Sequence, residues 1–219
     1  MGLIANDKGG GDFDPIAQGI HHAVCYSLFD LGTQFSEAFG NWSHKILLCW
    51  EFPEERIKIR KEDKDLDLPR ATSKEYTLSL GTKANLRKDL ETWRGRAFTA
   101  DELSGFDVKN ILGKNCQIQI IHQAKNDKVY ANVASITPLM KGISVKTPEN
   151  PIRYFAFGDG GEIPEGTPEW IIKKIQASKE WKARSVNPGD PGEPPWAGEE
   201  SPPIDSYDSG NILDEDLPF

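Results

Sequence analysis

Residues 74–98, KEYTLSLGTKANLRKDLETWRGRAF, decide the fold because the hydrophobic period changes within them. The first seven residues, Lys74 to Leu80, alternate between polar and apolar side chains, which predicts a β-strand. From Ala84 to Phe98 the apolar residues recur instead at helical spacing. These apolar residues are Leu86, Leu90 and Trp93. The change predicts one helix that directly follows a strand.

Strands are predicted on both sides of this helix. Before it three strands span Ile20 to Leu31, which Gly32 ends, then His44 to Phe52, with a continuation at Arg56 to Arg60 beyond Pro53, and Lys74 to Leu80. After it they span Asn115 to His122 and Lys128 to Pro138, joined as a hairpin. The charged stretch KEDKDLDLP at residues 61–69 is predicted to be a loop.

Shorter sequence patterns predict further helices and a turn in the rest of the folded domain. Thr99 and Glu102 form a T-x-x-E capping box that predicts a second helix start. Asp107 to Leu112, closed by Gly113, predicts one short turn. A last helix is predicted from Thr167, with Pro168 in its first position.

Three strand segments, a helix and two further strands follow the order of the OB-fold, a partly open barrel whose surface binds oligonucleotides or oligosaccharides. We therefore predict a mainly β, OB-fold-like five-stranded Greek-key barrel with an inserted helix and a C-terminal helix. A fold of this kind does not by itself establish a function.

Charge and composition divide the 219 residues into three parts. Residues 1–15 are predicted to be a flexible arm, 16–183 the folded domain, and 184–219 a disordered Pro/Gly-rich acidic tail. The net charge is −8, but residues 185–219 hold nine acids and no Lys or Arg, which leaves 25 acids and 26 bases in residues 1–184. The acidic average therefore does not exclude a polyanion as a ligand of the folded domain.

Several classes of protein are disfavoured. No apolar run approaches the ~18–20 residues that span a bilayer, and the N-terminus lacks the pattern of a signal peptide, so a cytoplasmic protein without a membrane segment is predicted. The three cysteines form no metal-binding spacing and are interpreted as buried hydrophobic residues. No catalytic motif is found, so we predict neither an enzyme nor a cofactor or metal site.

The chain ends in GNILDEDLPF, with three acids before Leu-Pro-Phe. This resembles the acidic tip of bacterial and phage single-stranded DNA-binding proteins. The stretches HHAVCYSLFDLGTQ (21–34), KILLCWEFPEERI (45–57) and LRKDLETWRGRAF (86–98) are similar to proteins of phage replication modules. The resemblance implies a protein that coats single-stranded DNA in replication or recombination and recruits partner proteins through its tip. The tip consists of Asp214, Glu215, Asp216, Leu217, Pro218 and Phe219.

Sequence-tolerant binding of single strands needs cations for phosphates and aromatic rings for bases. Twelve residues on predicted strands and loops have this chemistry. They are Trp42, Lys45, Trp50, Arg56, Lys58, Arg60, Arg70, Lys74, Tyr76, Lys125, Lys128 and Tyr130. Trp50 and Tyr76 could instead fill the barrel, and the bases of RIKIR could be an ordinary solvated strand face.

The predicted mechanism has two parts: an aromatic and basic cleft coats the strand, and the tip docks replication enzymes. Without DNA, the acidic tip is predicted to fold back onto the cleft. Two alternatives stay open, an adaptor whose barrel binds protein and a strand-annealing protein. A monomer or dimer is favoured.

Overall fold

The computed structural model describes residues 15–37, 40–61, 64–125 and 128–186. It is mainly β, as predicted, and five antiparallel strands curl into a half-barrel. The strands are β1 (Gly19–Ser36), β2 (Asn41–Lys61), β3 (Lys64–Thr77), β4 (Asn115–Lys125), β5 (Lys128–Thr137) and the short β6 (Arg153–Phe155). The helices are α1 (Asn85–Arg94), α2 (Ala100–Ser104), α3 (Glu169–Ala177) and α4 (Lys179–Val186), with 3₁₀ turns at Val108–Ile111 and Phe157–Asp159.

The five long strands hydrogen-bond in the order β3-β2-β1-β4-β5. The outer strands β3 and β5 approach each other, and α1 packs against both of them. The stripe of α1 is buried as predicted, at Leu86, Leu90 and Trp93. These side chains join the main core inside the half-barrel, where they meet the inward residues of β1, β2, β4 and β5.

The β2–β3 hairpin is longer than the sequence predicts. Lys64 to Pro69 is strand rather than loop, and it pairs with Arg56–Lys61. Pro53 does not end β2; the register shifts between Phe52 and Arg56 instead, which accommodates the proline in an irregular segment. The alternating Asp and Leu of residues 65–68 gain a partner strand, which local composition did not reveal.

Strand β1 also continues past its predicted end. Gly32 has a φ of 67° beside a register shift, and the strand resumes to Ser36. A Cβ at this position would lie 2.5 Å from Oε2 of Glu180 and 2.7 Å from Cβ of Ser178. Gly32 is therefore required for the close approach of the C-terminal segment, not as a terminator.

The capping box is confirmed: Thr99 accepts a hydrogen bond from the N–H of Glu102, and the Glu102 carboxylate accepts one from the N–H of Thr99. The Glu102 carboxylate also contacts Arg94 and Arg96. The hydrogen bonds from Arg96 and from the Thr99 N–H lower the pKa of Glu102 to about 2. The predicted turn over residues 107–112 is a 3₁₀ turn, which Asp107 caps.

A second layer covers the outer face of β1 and β2. Strand β6 pairs in parallel with β1, and Phe155, Ile171 and Ile175 pack on residues that point away from the main core. Those residues are Phe29, Leu31, Leu47 and Cys49. Both faces of the β1–β2 pair are thus buried, and α3 starts close to the predicted position.

The segment before β1 also contributes to the core. Ile16 is buried, and its carbonyl oxygen lies 2.7 Å from Nε2 of His122. Residues 1–14 of the predicted arm lie outside the described residues, as do residues 187–219 of the predicted tail. Residues 184–186 continue α4. Across the described part of the chain, no helix combines the length and the apolar character that a membrane span needs.

Candidate nucleic-acid interface

The β1–β2 hairpin ends in an exposed aromatic pair. Trp42 lies on β2 directly opposite Phe35 of β1, rather than in a loop as predicted. The two ring centroids are 5.2 Å apart, and about half of each side chain is exposed. The Nζ atom of Lys179 in α4 lies 4.4 Å from the centroid of the Trp42 ring. This end of the sheet therefore offers an aromatic surface with a cation beside it.

Trp50 and Tyr76 are buried, as in the alternative interpretation that they fill the barrel. Trp50 has an exposure of 0% and packs against Trp93, with centroids 6.0 Å apart. Tyr76 is buried, and its hydroxyl donates a hydrogen bond of 2.7 Å to Asp89. Burial, together with the Asp89 carboxylate, raises the pKa of Tyr76. Both rings serve the core because α1 closes the barrel over them.

The basic stripe of RIKIR has the predicted alternation, with exposed Arg56, Lys58 and Arg60 and half-buried isoleucines between them. Its electrostatics differ from the prediction, because the register sets Lys58 opposite Asp67 and Arg60 opposite Asp65. The Nε of Arg56 lies 3.1 Å from Asp67, and its Nη1 lies 2.6 Å from Glu149. The hydrogen bond to Glu149, and to a smaller extent that to Asp67, raises the pKa of Arg56. The stripe is therefore largely neutralised by neighbouring carboxylates.

The other predicted cations of β2 and β3 are engaged or half-buried. The ammonium of Lys74 lies 2.7 Å from Asp89 and 5.4 Å from the ring centroid of Tyr76. Lys45 donates a hydrogen bond of 2.8 Å to Thr77 on the neighbouring strand. Arg70 is half-buried on β3, opposite Phe52. These three residues do not form one track with the RIKIR stripe.

Two hairpins project past the same end of the barrel. Because Glu51 pairs with Val24 and Ile120 with Gly19, the later residues of β2 and β4 both run beyond the start of β1. The register sets Lys61 opposite Lys64 at one hairpin end and Lys125 opposite Lys128 at the other. The two tip sequences, KEDK and KNDK, are similar. The structure thus brings two lysine pairs to one end of the molecule.

Tyr130 belongs to the second of these hairpins. It lies on β5 opposite Gln123, and 49% of its side chain is exposed. Among the predicted aromatic residues, Tyr130 and Trp42 are accessible and Trp50 and Tyr76 are not. The accessible pair lies at opposite ends of the sheet, since Trp42 is next to the β1–β2 turn.

A buried charged cluster attaches α4 to the barrel. Nε2 of His44 lies 2.7 Å from Asp30, and its Nδ1 lies 3.7 Å from Glu180. Glu180 also accepts hydrogen bonds from the N–H and the hydroxyl of Thr33, at 2.7 and 2.6 Å. Burial opposes protonation of His44, but the hydrogen bond to Asp30 and the attraction of both carboxylates raise its pKa. The cluster fixes the helix that carries Lys179.

A cavity of about 210 Å³ lies between the barrel and the segment around β6. Its walls are mostly apolar, and its carboxylates are already engaged: Asp30 accepts a hydrogen bond from the N–H of Gly32, and Asp107 from that of Lys109. The Nζ atom of Lys109 lies 4.2 Å from the ring centroid of Tyr154. The cavity therefore has no polar arrangement that favours a particular ligand.

The cysteines and two histidines occupy the predicted positions. Cys25, Cys49 and Cys116 are buried free thiols. Burial raises the pKa of each thiol, that of Cys49 to about 12. His21 faces the core side, where its ring lies 5.7 Å from that of Phe52, whereas the register sets His22 on the other face, opposite Gln117. They therefore do not form a joint site.

The predicted tip, Asp214 to Phe219, lies outside the described residues. Sequence reasoning missed Lys179, whose position depends on the docking of α4. It also missed Gln117, Gln119 and Gln123 on the outer face of β4. Their alternation with buried isoleucines in NCQIQIIHQ was the signal that could have identified them.

Comparison with known proteins adds no assignment. No protein-family model matches the chain, and a search of curated proteins found no significant match. A functional conclusion therefore depends on the residues and their arrangement.

Proposed function

We propose that this chain is a non-enzymatic, sequence-tolerant single-stranded DNA-binding protein of a phage replication or recombination module. In this proposal the half-barrel is an OB-fold, and the acidic tip recruits replication or recombination proteins. The strand order β3-β2-β1-β4-β5, with α1 across the gap between β3 and β5, supports the OB-type barrel because its outer strands are the two that an OB-fold brings together.

The two lysine-tipped hairpins carry the proposal. The register sets one lysine opposite another in both hairpins, and the two tip sequences also hold Glu62, Asp63 and Asp127. A phosphate chain that passes between the hairpins would bind these lysines and release counterions. Hairpins that contact only the phosphates of the DNA would bind any sequence, because phosphates carry no base identity.

Exposed aromatic rings supply the second requirement. Tyr130 lies two residues from Lys128 on one hairpin, and Trp42 lies at the far end of the sheet beside Lys179. Stacking on such rings contributes about 1–3 kcal/mol per base and tolerates every base. The neutralised RIKIR stripe leaves fewer cations for phosphates than the sequence suggested, so we expect moderate affinity and a shallower salt dependence than the full set of cations would give.

The C-terminal sequence supports the recruiting role. Phe219 combines an aromatic ring with a terminal carboxylate, and the acids before it would attract a basic partner surface over a long range. Such a tip fits an apolar pocket lined by Arg or Lys on a replication enzyme.

The direct test is fluorescence anisotropy with labelled oligothymidine and a duplex of equal length, using the full chain. We expect binding to the single strand, weaker binding to the duplex, and a slope of about −0.7 per phosphate contact when log K is plotted against log salt. Replacement of Lys61, Lys64, Lys125 and Lys128 by Ala should weaken binding about tenfold or more at low salt.

The control is the double replacement Lys83→Ala and Lys88→Ala, which removes exposed lysines at and beside α1 and is compared with the double variant of each hairpin, since each of these also loses two charges. Its affinity should stay within about twofold of the wild-type value, apart from the general charge effect. If the full chain does not bind oligothymidine of any length in dilute buffer, the proposal is contradicted.

The neutralised stripe favours one second candidate, an adaptor whose barrel binds protein. Asp65, Asp67 and Glu149 balance the cations of the β2–β3 hairpin, as in a surface that meets another protein. Tryptophan fluorescence separates the two functions: poly-dT should quench Trp42 if bases stack there, and an adaptor should show no change. A strand-annealing assay separates an annealing protein from a coating protein.

A further inference from the structure

The outer face of β4 and β5 differs from the other surfaces of the sheet. The second layer covers the outside of β1 and β2, and carboxylates face the cations of the β2–β3 hairpin. Outside β4 and β5 lies a surface that we call the amide face. It consists of Ile20, Gln119, Ile121, Gln123, Tyr130 and Asn132.

The register places these six residues on one side of the sheet. Ile20 pairs with Gln119, Ile121 pairs with Asn132, and Gln123 pairs with Tyr130. Their neighbours Ile118 and Ile120 point the other way, into the core. Ile20 is 67% exposed and Ile121 is 42% exposed, so large apolar side chains lie open here beside amides.

The electrostatics of the amide face suit a polyanion. None of its six side chains carries a charge at neutral pH, so no carboxylate among them opposes a phosphate. Lys125 and Lys128 pair on the same two strands, two positions beyond the Gln123–Tyr130 pair. A strand held by these lysines therefore meets a surface without repulsion as it continues along β4 and β5.

The side chains can also contact bases without selecting one. The Tyr130 ring provides a stacking surface, and the exposed isoleucines can contact the faces or edges of bases. Gln123 and Asn132 hydrogen-bond to each other at 3.0 Å, and Gln119 accepts a bond of 3.2 Å from Ser135, which orients these amides. Each amide has further donor and acceptor capacity, so it can match several base edges.

We propose that single-stranded DNA, after passing the lysine-tipped hairpins, runs over the amide face with a base stacked on Tyr130. The inference rests on the proposed function and specifies its path. The occupant is an unpaired polynucleotide, because a neutral amide surface that continues into two lysines complements a flexible anion with exposed bases.

The first test introduces a carboxylate into the path without changing side-chain shape. Gln119→Glu and Gln123→Glu should each weaken binding of labelled oligothymidine roughly threefold to tenfold at low salt, and the double variant more, with smaller effects at high salt. Gln176→Glu on the exposed side of α3 is the matched control and should stay near the wild-type value. Thermal unfolding checks that each variant is folded.

The second test separates stacking from hydrogen bonding. Tyr130→Ala should weaken binding about tenfold, whereas Tyr130→Phe should retain wild-type affinity because the ring is kept. Tyr130→Trp adds a reporter whose fluorescence should be quenched by oligothymidine.

The outcomes distinguish the path from the function. If the wild-type chain binds oligothymidine and the Glu and Ala variants of the amide face bind equally well, the path is wrong and the function stands. If the wild-type chain does not bind, the proposed function fails. If the variants change the mass measured by sedimentation but not the affinity for DNA, the amide face joins two copies of the chain, and the inference is overturned.

Discussion

The Nζ atom of Lys179 lies 4.4 Å from the centroid of the Trp42 ring, so α4 contacts the exposed aromatic residue at the end of the β1–β2 hairpin. The next residue, Glu180, joins the buried cluster with His44. Glu180 therefore helps to attach α4 to the barrel, and Lys179, the residue before it, places a cation over the ring of Trp42. A base that stacks on Trp42 would therefore take the ring face opposite Lys179 or displace its ammonium.

Trp42 should contribute to binding through its ring. Trp42→Phe is expected to keep the affinity for oligothymidine within about twofold, and Trp42→Ala to weaken it about fivefold or more, because stacking needs an aromatic face. Anisotropy titrations at low salt measure both. Equal affinity of the Ala variant would exclude this ring from the interface.

Trp50 should matter for stability and not for contact with DNA. Its side chain is fully buried, so Trp50→Ala should lower the free energy of unfolding by about 3–5 kcal/mol. Within the described residues its indole N–H meets no acceptor, so Trp50→Phe loses no hydrogen bond, leaves a smaller cavity than Trp50→Ala and should cost less. Urea unfolding measures both. A folded Phe variant that loses affinity for DNA would contradict the assignment of Trp50 to the core.

The cluster of His44, Asp30 and Glu180 should make stability depend on pH. The folded-state pKa of His44 is raised above the ordinary value of 6.5. The protonated ring therefore stabilises the fold fully below about pH 6.5, and this contribution is lost as the pH rises through the folded-state pKa.

The measurement is urea unfolding of the wild type and of His44→Gln between about pH 6 and pH 9. The stability difference between the two proteins should be largest at the acidic end and decrease toward the alkaline end. A difference that is constant across this range would contradict a charged His44 in the folded state.

The carboxylates of the β2–β3 hairpin should limit DNA binding. Asp65→Asn together with Asp67→Asn leaves Arg56, Lys58 and Arg60 with fewer opposing charges, so affinity for oligothymidine should rise a few-fold and depend more steeply on salt. Asp101→Asn, at an exposed position of α2, controls for net charge and is compared with the single variants Asp65→Asn and Asp67→Asn. An equal gain in the control and in the single variants would show that the hairpin has no special role.

Deletion of residues 210–219 should tighten binding to oligothymidine at low salt, because the acidic tip competes with the strand for the cations of the folded domain. The effect should vanish at high salt, where attraction between tip and cations is screened. Unchanged affinity at low salt would reject the predicted competition.

Local pattern was sufficient for the elements with strong periodicity. The stripe of Leu86, Leu90 and Trp93, the Thr99–Glu102 capping box and the β4–β5 hairpin lie where the sequence predicts them. Each depends on neighbours within a few residues, so its signal is contained in a short stretch of the chain. The mainly β class follows from the alternating segments of β1, β2 and β3 together with this hairpin.

The sequence by itself determined which residues alternate on β2: one face carries Ile46, Leu48 and Trp50, and the other Leu47 and Cys49. Only the tertiary structure decided which cations remain available and which rings are exposed. Asp65 and Asp67 lie opposite the RIKIR stripe because their segment, which was predicted to be a loop, is a strand that pairs with β2. Trp50 and Tyr76 are buried because α1 closes over them. Both outcomes arise from contacts between distant segments, whose energies a local pattern does not contain.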